Sequence, residues 1–470
     1  MWSTLGCEGS NVIGLRALDA TLIDAADVHD VADVRDAAAP DFTDASDVVD
    51  VRDSAMDADV PDVVDVLTCG TLNFAPPTVD VPLTTDATAD LGPTSDIAGD
   101  ASGDRPDVAV DVVLPASPAM QVEASLASTG FTCFALTSGQ GRCAGDNNLG
   151  QLGDGTMMGR TRPVVVSGLF GARHVVAGDA FACAAIDNGS ARCWGANSFG
   201  QLGDGTMSDH RVAMPVTGVT SAAQVSTGQS HACARLNDGT VSCWGRNVDG
   251  QVGSGSASPT PQVMPALVAG LSNARQIDLG SNFSCAIVGD GTARCWGSGS
   301  FGQLGDGSTT NRPLPVAVRN LACAVRVSAG VSHACALIAD GTVQCWGSGS
   351  FGQLGNGMMA MSTTPVATQG ITGAIDVSAG ASHSCAVLRD GAVRCWGANT
   401  YGQLGDGTTN ASNTPVAVQS VAGAVRVSAG GRHTCALIVD GTVRCWGENM
   451  SGQLGDDTTT RRPTAVTVMF

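Results

Sequence analysis

Fourteen of the 17 cysteines in this 470-residue chain fall into seven pairs with one spacing. Cys133/Cys143, Cys183/Cys193, Cys233/Cys243, Cys285/Cys295, Cys335/Cys345, Cys385/Cys395 and Cys435/Cys445 are each ten positions apart. Three chemistries are open to such thiols: disulfide formation, zinc ligation, or burial as small hydrophobes. A C-x9-C spacing lacks the short ligand loops of zinc sites. Between Cys335 and Cys345 lies Asp340-Gly341. A hairpin with the three-residue loop Ala339-Asp340-Gly341 and Gly341 in the left-handed region sets Cys335 directly opposite Cys345. Directly opposed strand cysteines are within disulfide reach. The pattern therefore predicts seven disulfides, each within one hairpin, and an oxidising compartment.

Other rows of reactive side chains keep the same beat. Two residues before each first cysteine stand Phe131, Phe181, His231, Phe283, His333, His383 and His433. Four imidazoles in an array could bind metal or move protons. Phenylalanine replaces three of them, so the position is read as a packing ring. Arg142, Arg192, Arg294, Arg394 and Arg444 precede the second cysteines and form a partly exposed row, with anion binding as the sharper alternative. A glutamine recurs in all seven units, from Gln151 to Gln453, between glycines suited to tight turns. Its amide is expected to satisfy buried backbone groups. Asp154, Asp204, Asp306, Asp406 and Asp456, with Ser254 and Asn356 in the remaining units, are expected to bond turn backbone rather than calcium. Glu8, Glu123 and Glu448 are the only glutamates, and no nucleophile-elbow, zinc-protease or phosphate-loop motif occurs. The expectation is no catalytic site, no metal and no cofactor.

The elements that position these rows are repeats. First cysteines recur every 50 residues, with 52 between Cys233 and Cys285. Each unit carries four short β signals, among them Val425-Arg426-Val427, Cys435-Ala436-Leu437-Ile438, Thr442-Val443-Arg444-Cys445 and Ala465-Val466-Thr467-Val468. Seven units of four strands predict an all-β fold, a seven-bladed β-propeller of four-stranded blades over residues 120–470. An open solenoid is the alternative. The first unit has Ala144 where the other six have tryptophan, and Phe134 where they have alanine. Phe134 is expected to fill the space that the missing indole leaves.

The units resemble the regulator of chromosome condensation repeat. Gly402-Gln403-Leu404-Gly405-Asp406-Gly407 and Trp396-Gly397-Ala398-Asn399 are close copies of its motifs, and seven units match the family's seven-bladed propeller. The resemblance covers about three quarters of the chain. It implies the fold more strongly than an activity, because function sits in sites grafted on folds. It also implies one candidate activity, guanine-nucleotide exchange on a small nuclear GTPase. The cysteine pairs depart from the family's nuclear members and count against that role.

The preceding residues differ in kind. Residues 1–119 hold 24 of the 44 acidic residues but four of the 24 arginines, and there is no lysine. They carry the whole net charge of −20, which leaves residues 120–470 neutral. Asp recurs at every third position, as in Asp24, Asp27, Asp30, Asp33 and Asp36, among Ala and Val. Such a segment repels itself and has little apolar surface to offset ordering. Residues 8–119 are thus expected to be a disordered spacer. Ser3-Thr4-Leu5-Gly6-Cys7 resembles the end of a bacterial lipoprotein signal, with Cys7 as the lipidated residue. Six residues are too few for its hydrophobic region, so either the signal starts upstream or the match is chance. If Cys7 is lipidated, parity leaves Cys69 and Cys323 to pair with each other.

Neutral charge argues against nucleic acid. No run of eighteen apolar residues exists, so membrane attachment is expected only through a lipid. The leading expectation is a monomeric, non-catalytic, extracytoplasmic propeller that binds a protein partner. The alternatives are nucleotide exchange and secreted enzyme inhibition. Candidate partner contacts are loop residues that vary between units: Asp179, Gln229, Arg432, Met157, Met158, Met207, Met358, Met359 and Met361.

Overall fold

The computed structural model describes residues 118–127 and 130–470. Cys7, Cys69 and nearly all of the expected spacer lie outside the described residues. Among the described residues, 28 strands form seven four-stranded antiparallel sheets and no helix. Each sheet uses four consecutive strands in simple order. The first blade comprises Ala119–Ala124, Phe131–Leu136, Gly141–Gly145 and Arg160–Val165. The seventh comprises Ala424–Ala429, His433–Ile438, Val443–Gly447 and Arg462–Thr467. The first strand of every blade lines the axis, where neighbouring first strands meet. The last strand is outermost and the most exposed.

Up-and-down order fixes two faces. Loops from first to second and from third to fourth strands share one end of the propeller, here the loop face. The hairpins between second and third strands share the other end with the blade-to-blade connections. Each hairpin has the expected register: Cys335 opposes Cys345, Leu337 opposes Val343, and Gly341 takes φ 84°. All seven expected disulfides form, each within one hairpin. Cys133 is bonded to Cys143, Cys183 to Cys193, Cys233 to Cys243 and Cys285 to Cys295. Cys335 is bonded to Cys345, Cys385 to Cys395 and Cys435 to Cys445. Their Cα atoms are 4.0–4.1 Å apart, the close approach of directly opposed strand residues. All fourteen of these cysteines are fully buried. Cys323 is also disulfide-bonded.

The apolar core lies between sheets, because each blade must cover both of its faces. Phe283, Cys285, Cys295 and Leu304 of the fourth blade pack on Val327, Ala334, Ala336 and Trp346 of the fifth. Each tryptophan reaches back over the preceding blade. Trp446 donates its indole N–H to the Gln403 carbonyl at 2.9 Å and lies against Gly405. A Cβ on Gly405 would come 2.7 Å from the indole nitrogen, and φ is 69° there, so glycine is required twice over.

The first blade has no indole to cover the seventh. Val468 stands over Gly455 as Val418 stands over Gly405, and Pro163 takes the place of the indole there. Phe134 does turn inward and is fully buried, with its ring 4.9 Å from Phe470 in an edge-to-face contact. The missing tryptophan is thus replaced by several smaller groups, of which Phe134 is one.

Replacing both Cys385 and Cys395 by alanine should leave the fold intact, since the hairpin register and six other disulfides remain. It should lower unfolding free energy by about 2–4 kcal/mol. Denaturant unfolding of the oxidised variant against the parent checks this, and an unchanged midpoint would refute it.

Candidate functional site

The paired cysteines hold the frame of the site and are not part of it. Cys143, Cys193 and Cys243, with Cys133, Cys183 and Cys233 opposite them, lie in the apolar layers between the first four blades. Cys295, Cys345, Cys395 and Cys445 hold the same place in the later blades. As oxidised, fully buried residues they offer no thiolate to a metal or a substrate.

Three polar or aromatic groups of residues recur around the axis. The first is the ring of Phe and His residues. All four histidines are fully buried at the start of their second strands. His231 Nε2 lies 2.9 Å from Ser284 Oγ, His333 Nε2 2.8 Å from Ser384 Oγ, His383 Nε2 2.8 Å from Thr434 Oγ1, and His433 Nε2 2.8 Å from Thr132 Oγ1. Each hydroxyl in turn donates to a glutamine carbonyl, as Thr434 does to Gln403 at 2.9 Å. The hydroxyl proton is spent, so Nε2 must donate, and burial keeps the ring neutral. Burial holds His231, His333 and His383 down at about 3 and His433 at about 4. Where phenylalanine stands instead, the facing residue of the next blade is Ala182, Ala232 or Ala334. All seven junctions obey this rule: His faces Ser or Thr, Phe faces Ala. The histidines are packing groups with one hydrogen bond each.

The second layer is the axial channel, which sequence reading missed. First strands expose one edge to the axis, and its N–H groups need acceptors. Polar side chains of the preceding blade supply them. Gln121 Oε1 accepts from Val175 N at 2.7 Å, Gln276 Oε1 from Val327 N at 2.9 Å, and Asp376 Oδ2 from Val427 N at 2.9 Å. Two residues further along, Asp278 Oδ2 accepts from Ala329 N at 2.9 Å and Ser428 Oγ from Ala124 N at 2.9 Å. Arg326 and Arg426 occupy the same register as Asp376 and cannot accept. Arg326 Nε sits 3.1 Å from Asp376 Oδ1 in an ion pair that is off the hydrogen-bond line.

Three carboxylates and two guanidinium groups therefore share one narrow channel. Glu123 keeps part of its surface open to it, yet is enclosed by protein. Its pKa is pushed up to about 8, first by burial and then by Asp278, against the opposing pull of Arg326. Burial also raises Asp278, and lowers His174 to about 4. The sequence signal was available. One first-strand position reads Gln121, His174, Gln224, Gln276, Arg326, Asp376 and Arg426, while the residue after it is always Val or Ile.

The third layer is the loop face. All nine expected contact residues lie on it. Gln229 is exposed, but Asp179 and Arg432 are half-buried and tied to neighbours. Asp179 bonds the Gln229 side chain, whose Oε1 accepts from Ser281 Oγ at 2.7 Å. Arg432 lies 4.5 Å over the Tyr401 ring, which Arg461 also approaches at 5.2 Å. The methionines are free of such ties: Met157, Met158, Met207, Met358, Met359 and Met361 are 45–65 % exposed.

A row of rings went unnoticed beside them. The residue before each Gly-Gln is Leu149, Phe199, Asp249, Phe301, Phe351, Tyr401 or Ser451. Phe199, Phe301 and Phe351 are 36–52 % exposed. Each is held by its own glutamine, whose Oε1 accepts the ring residue's N–H, as Gln303 does from Phe301 at 2.8 Å. The glutamine is therefore architecture, as expected, and what it presents is an aromatic crown. Large exposed aromatics and arginines are the side chains that anchor protein interfaces. The aspartates make the expected turn bonds, for example Asp406 Oδ1 with Thr408 N at 2.9 Å.

Comparison with known proteins agrees with this architecture. The RCC1-like domain model matches residues 219–469, and models of the regulator of chromosome condensation (RCC1) repeat match 172–201 and 188–235. Among solved structures, Prp20p from Saccharomyces cerevisiae, described with its binding to Gsp1p and histones, is 19% identical with a TM-score of 0.62. That alignment covers 70% of this chain and 85% of Prp20p. Human WBSCR16 is 19% identical with a TM-score of 0.64, over 70% of this chain and 94% of the other. These likenesses concern the fold. No curated protein matches the sequence.

The inner layers lend themselves to two tests. His383→Phe and Thr434→Ala should each destabilise by about 1–3 kcal/mol, one through crowding and the other through an orphaned donor. The double variant recreates the Phe–Ala junction and should recover most of the loss, so a double-mutant cycle by denaturant unfolding should show strong coupling. For Glu123, the folded pKa lies above the unfolded value of 4.5, so its neutral form is favoured by folding. Stability from this group is intact below pH 4.5 and is lost as pH rises through about 8. Glu123→Gln should thus gain about 1–3 kcal/mol over the parent at pH 8 and nothing at pH 4. Melting curves at the two pH values decide it.

Proposed function

We propose, from the premise that this chain belongs to the family of RCC1-like domains, that it is a non-catalytic protein-binding propeller working outside the cytoplasm. The aromatic crown with its methionines on the loop face is the observation that carries this reading. A stable association needs a buried centre of anchor residues, and Phe199, Phe301, Phe351 and Tyr401 are of that kind. Seven buried disulfides favour an oxidising compartment. The four histidines of the buried ring, a residue type well suited to proton transfer at neutral pH, are neutral and consumed in packing.

Cys7 as a lipid attachment point and residues 8–119 as a spacer complete the reading. The lipid would hold the chain at a membrane, and the spacer would give the propeller reach. The propeller is neutral, so its recognition should depend weakly on salt. Prp20p is described as binding Gsp1p and histones. Exchange of guanine nucleotide on a GTPase is the alternative that the family brings. The disulfides set it second, since a nuclear or cytosolic setting keeps thiols reduced.

The test is affinity capture with the full chain from cell envelope and surrounding medium, using parent, F301A/F351A and F170A. Phe170 is an exposed ring on the opposite face. F301A/F351A should weaken retention of the captured partner about tenfold or more, whereas F170A should not. Equal retention by all three would move the binding surface elsewhere. Thiol labelling of the unreduced protein in separated compartments tests location, and seven reduced hairpins in the cytosol would exclude the extracytoplasmic reading.

A further inference from the structure

The loop between third and fourth strands carries one clamp in four of the seven blades; the third and sixth blades keep part of it, and the fifth has lost all three members. In those four blades an aspartate accepts from the hydroxyl two residues on and from a basic side chain six on. Asp154 bonds Thr156 Oγ1 at 2.7 Å and Arg160 Nη2 at 2.9 Å. Asp306 with Ser308 and Arg312, and Asp456 with Thr458 and Arg462, repeat it. Asp204 uses Thr206 and His210. In the fifth blade, Asn356 stands for the acid, Met358 for the hydroxyl and Ser362 for the base. Two more methionines follow within the same turn, giving Met358-Met359-Ala360-Met361.

The base of that loop is pinned. Met358 N donates to Asn356 Oδ1 at 3.1 Å, and Asn356 O accepts from Gln369 Nε2 at 2.9 Å. Gly357 exchanges two hydrogen bonds with Asn413 of the next blade, its N donating to Asn413 O at 3.0 Å and its O accepting from Asn413 Nδ2 at 2.7 Å. The tip is not pinned, and its methionines are 63 %, 60 % and 48 % exposed.

We infer that this tip is a binding site for a soft monovalent cation, Cu(I) or Ag(I), held by the thioether sulfurs of Met358, Met359 and Met361. Thioethers are weak ligands for hard or borderline ions and select the soft d10 ions. Unbranched methionine side chains can turn their sulfurs toward a common ion at small cost. The substitutions that made room for the thioethers also removed the cation that Arg160, Arg312 or Arg462 places beside the corresponding turn. Nothing hard is left to compete. Asn356 is engaged in the turn, and among the described residues no group of three His, Cys, Asp or Glu could hold a metal. Met157 and Met158 of the first blade keep the aspartate–arginine clamp beside them, so they are the natural comparison.

The experiment uses the full-length oxidised chain with any free thiol blocked by N-ethylmaleimide, titrated with silver nitrate in chloride-free buffer. Native mass spectrometry gives stoichiometry, and competition against a thioether chelator gives affinity. The parent should bind one Ag(I) that M358L/M359L/M361L lacks, with an affinity loss of about tenfold or more in the variant. M157L/M158L should bind as the parent does. Silver binding is read on the chain alone, with no protein partner present, so its outcome is independent of what the crown binds. Equal silver binding by parent and triple variant would overturn the assignment, as would a parent that binds none.

Discussion

The structure depends on satisfying an edge. Seven sheets that are each complete must close into a ring without sharing a strand, and every first strand then turns a row of backbone N–H groups toward the axis. A buried N–H without a partner costs about 1–3 kcal/mol. The solution is directional: side chains of one blade accept from the backbone of the next, from Gln121 to Val175 and onward to Ser428 and Ala124. The closing junction uses the same devices as the others. Gly431 N donates to Ser125 O at 2.8 Å, and His433 meets Thr132. The outer radius repeats the principle, with each indole donating to the preceding blade's glutamine carbonyl.

This stitching divides the residues of a unit into two kinds. Those that hold a blade to its neighbour vary only in compatible pairs, such as His383 with Thr434 against Phe181 with Ala232. Those that stand beyond the stitching vary freely, and the loop face collects them. Glutamine does both jobs. Its carbonyl oxygen receives the next blade's indole, and its amide fixes the backbone of an exposed ring. The rigidity of Phe301 or Phe351 at the surface thus comes from the same residue that joins the blades, which lowers the entropy to be lost when a partner docks.

How much of this the sequence disclosed follows from where the information sits. The hairpin register was legible because Cys335, Gly341 and Cys345 constrain it through local geometry. The same reasoning carried over to Cys143, Cys193 and Cys243, whose hairpins repeat that spacing and form the same bond. The inward turn of Phe134 was legible for a like reason, from its register opposite Arg142. Its edge-to-face contact with Phe470 was not, since that joins residues distant in sequence. The charged channel was overlooked because alternation in Val425-Arg426-Val427 already explains a strand. The identity of the middle residue has meaning only when seven axial positions are seen together. The crown escaped for a related reason: Phe199 and Phe351 lie in a glycine-rich turn, where a ring looks incidental until its neighbours around the axis are known.

Because each sheet is made from four consecutive strands, the first and last blades meet across a junction of the same kind as the other six. The chain ends therefore mark no special place in the circle. A gene for such a ring can gain or lose whole units, or begin at a different unit, without splitting a sheet between its two ends. Growth by duplication then needs only that each newcomer match its two neighbours at the aromatic, axial and indole contacts. The first unit, which closes without an indole, shows that even one of those three can be supplied by other means.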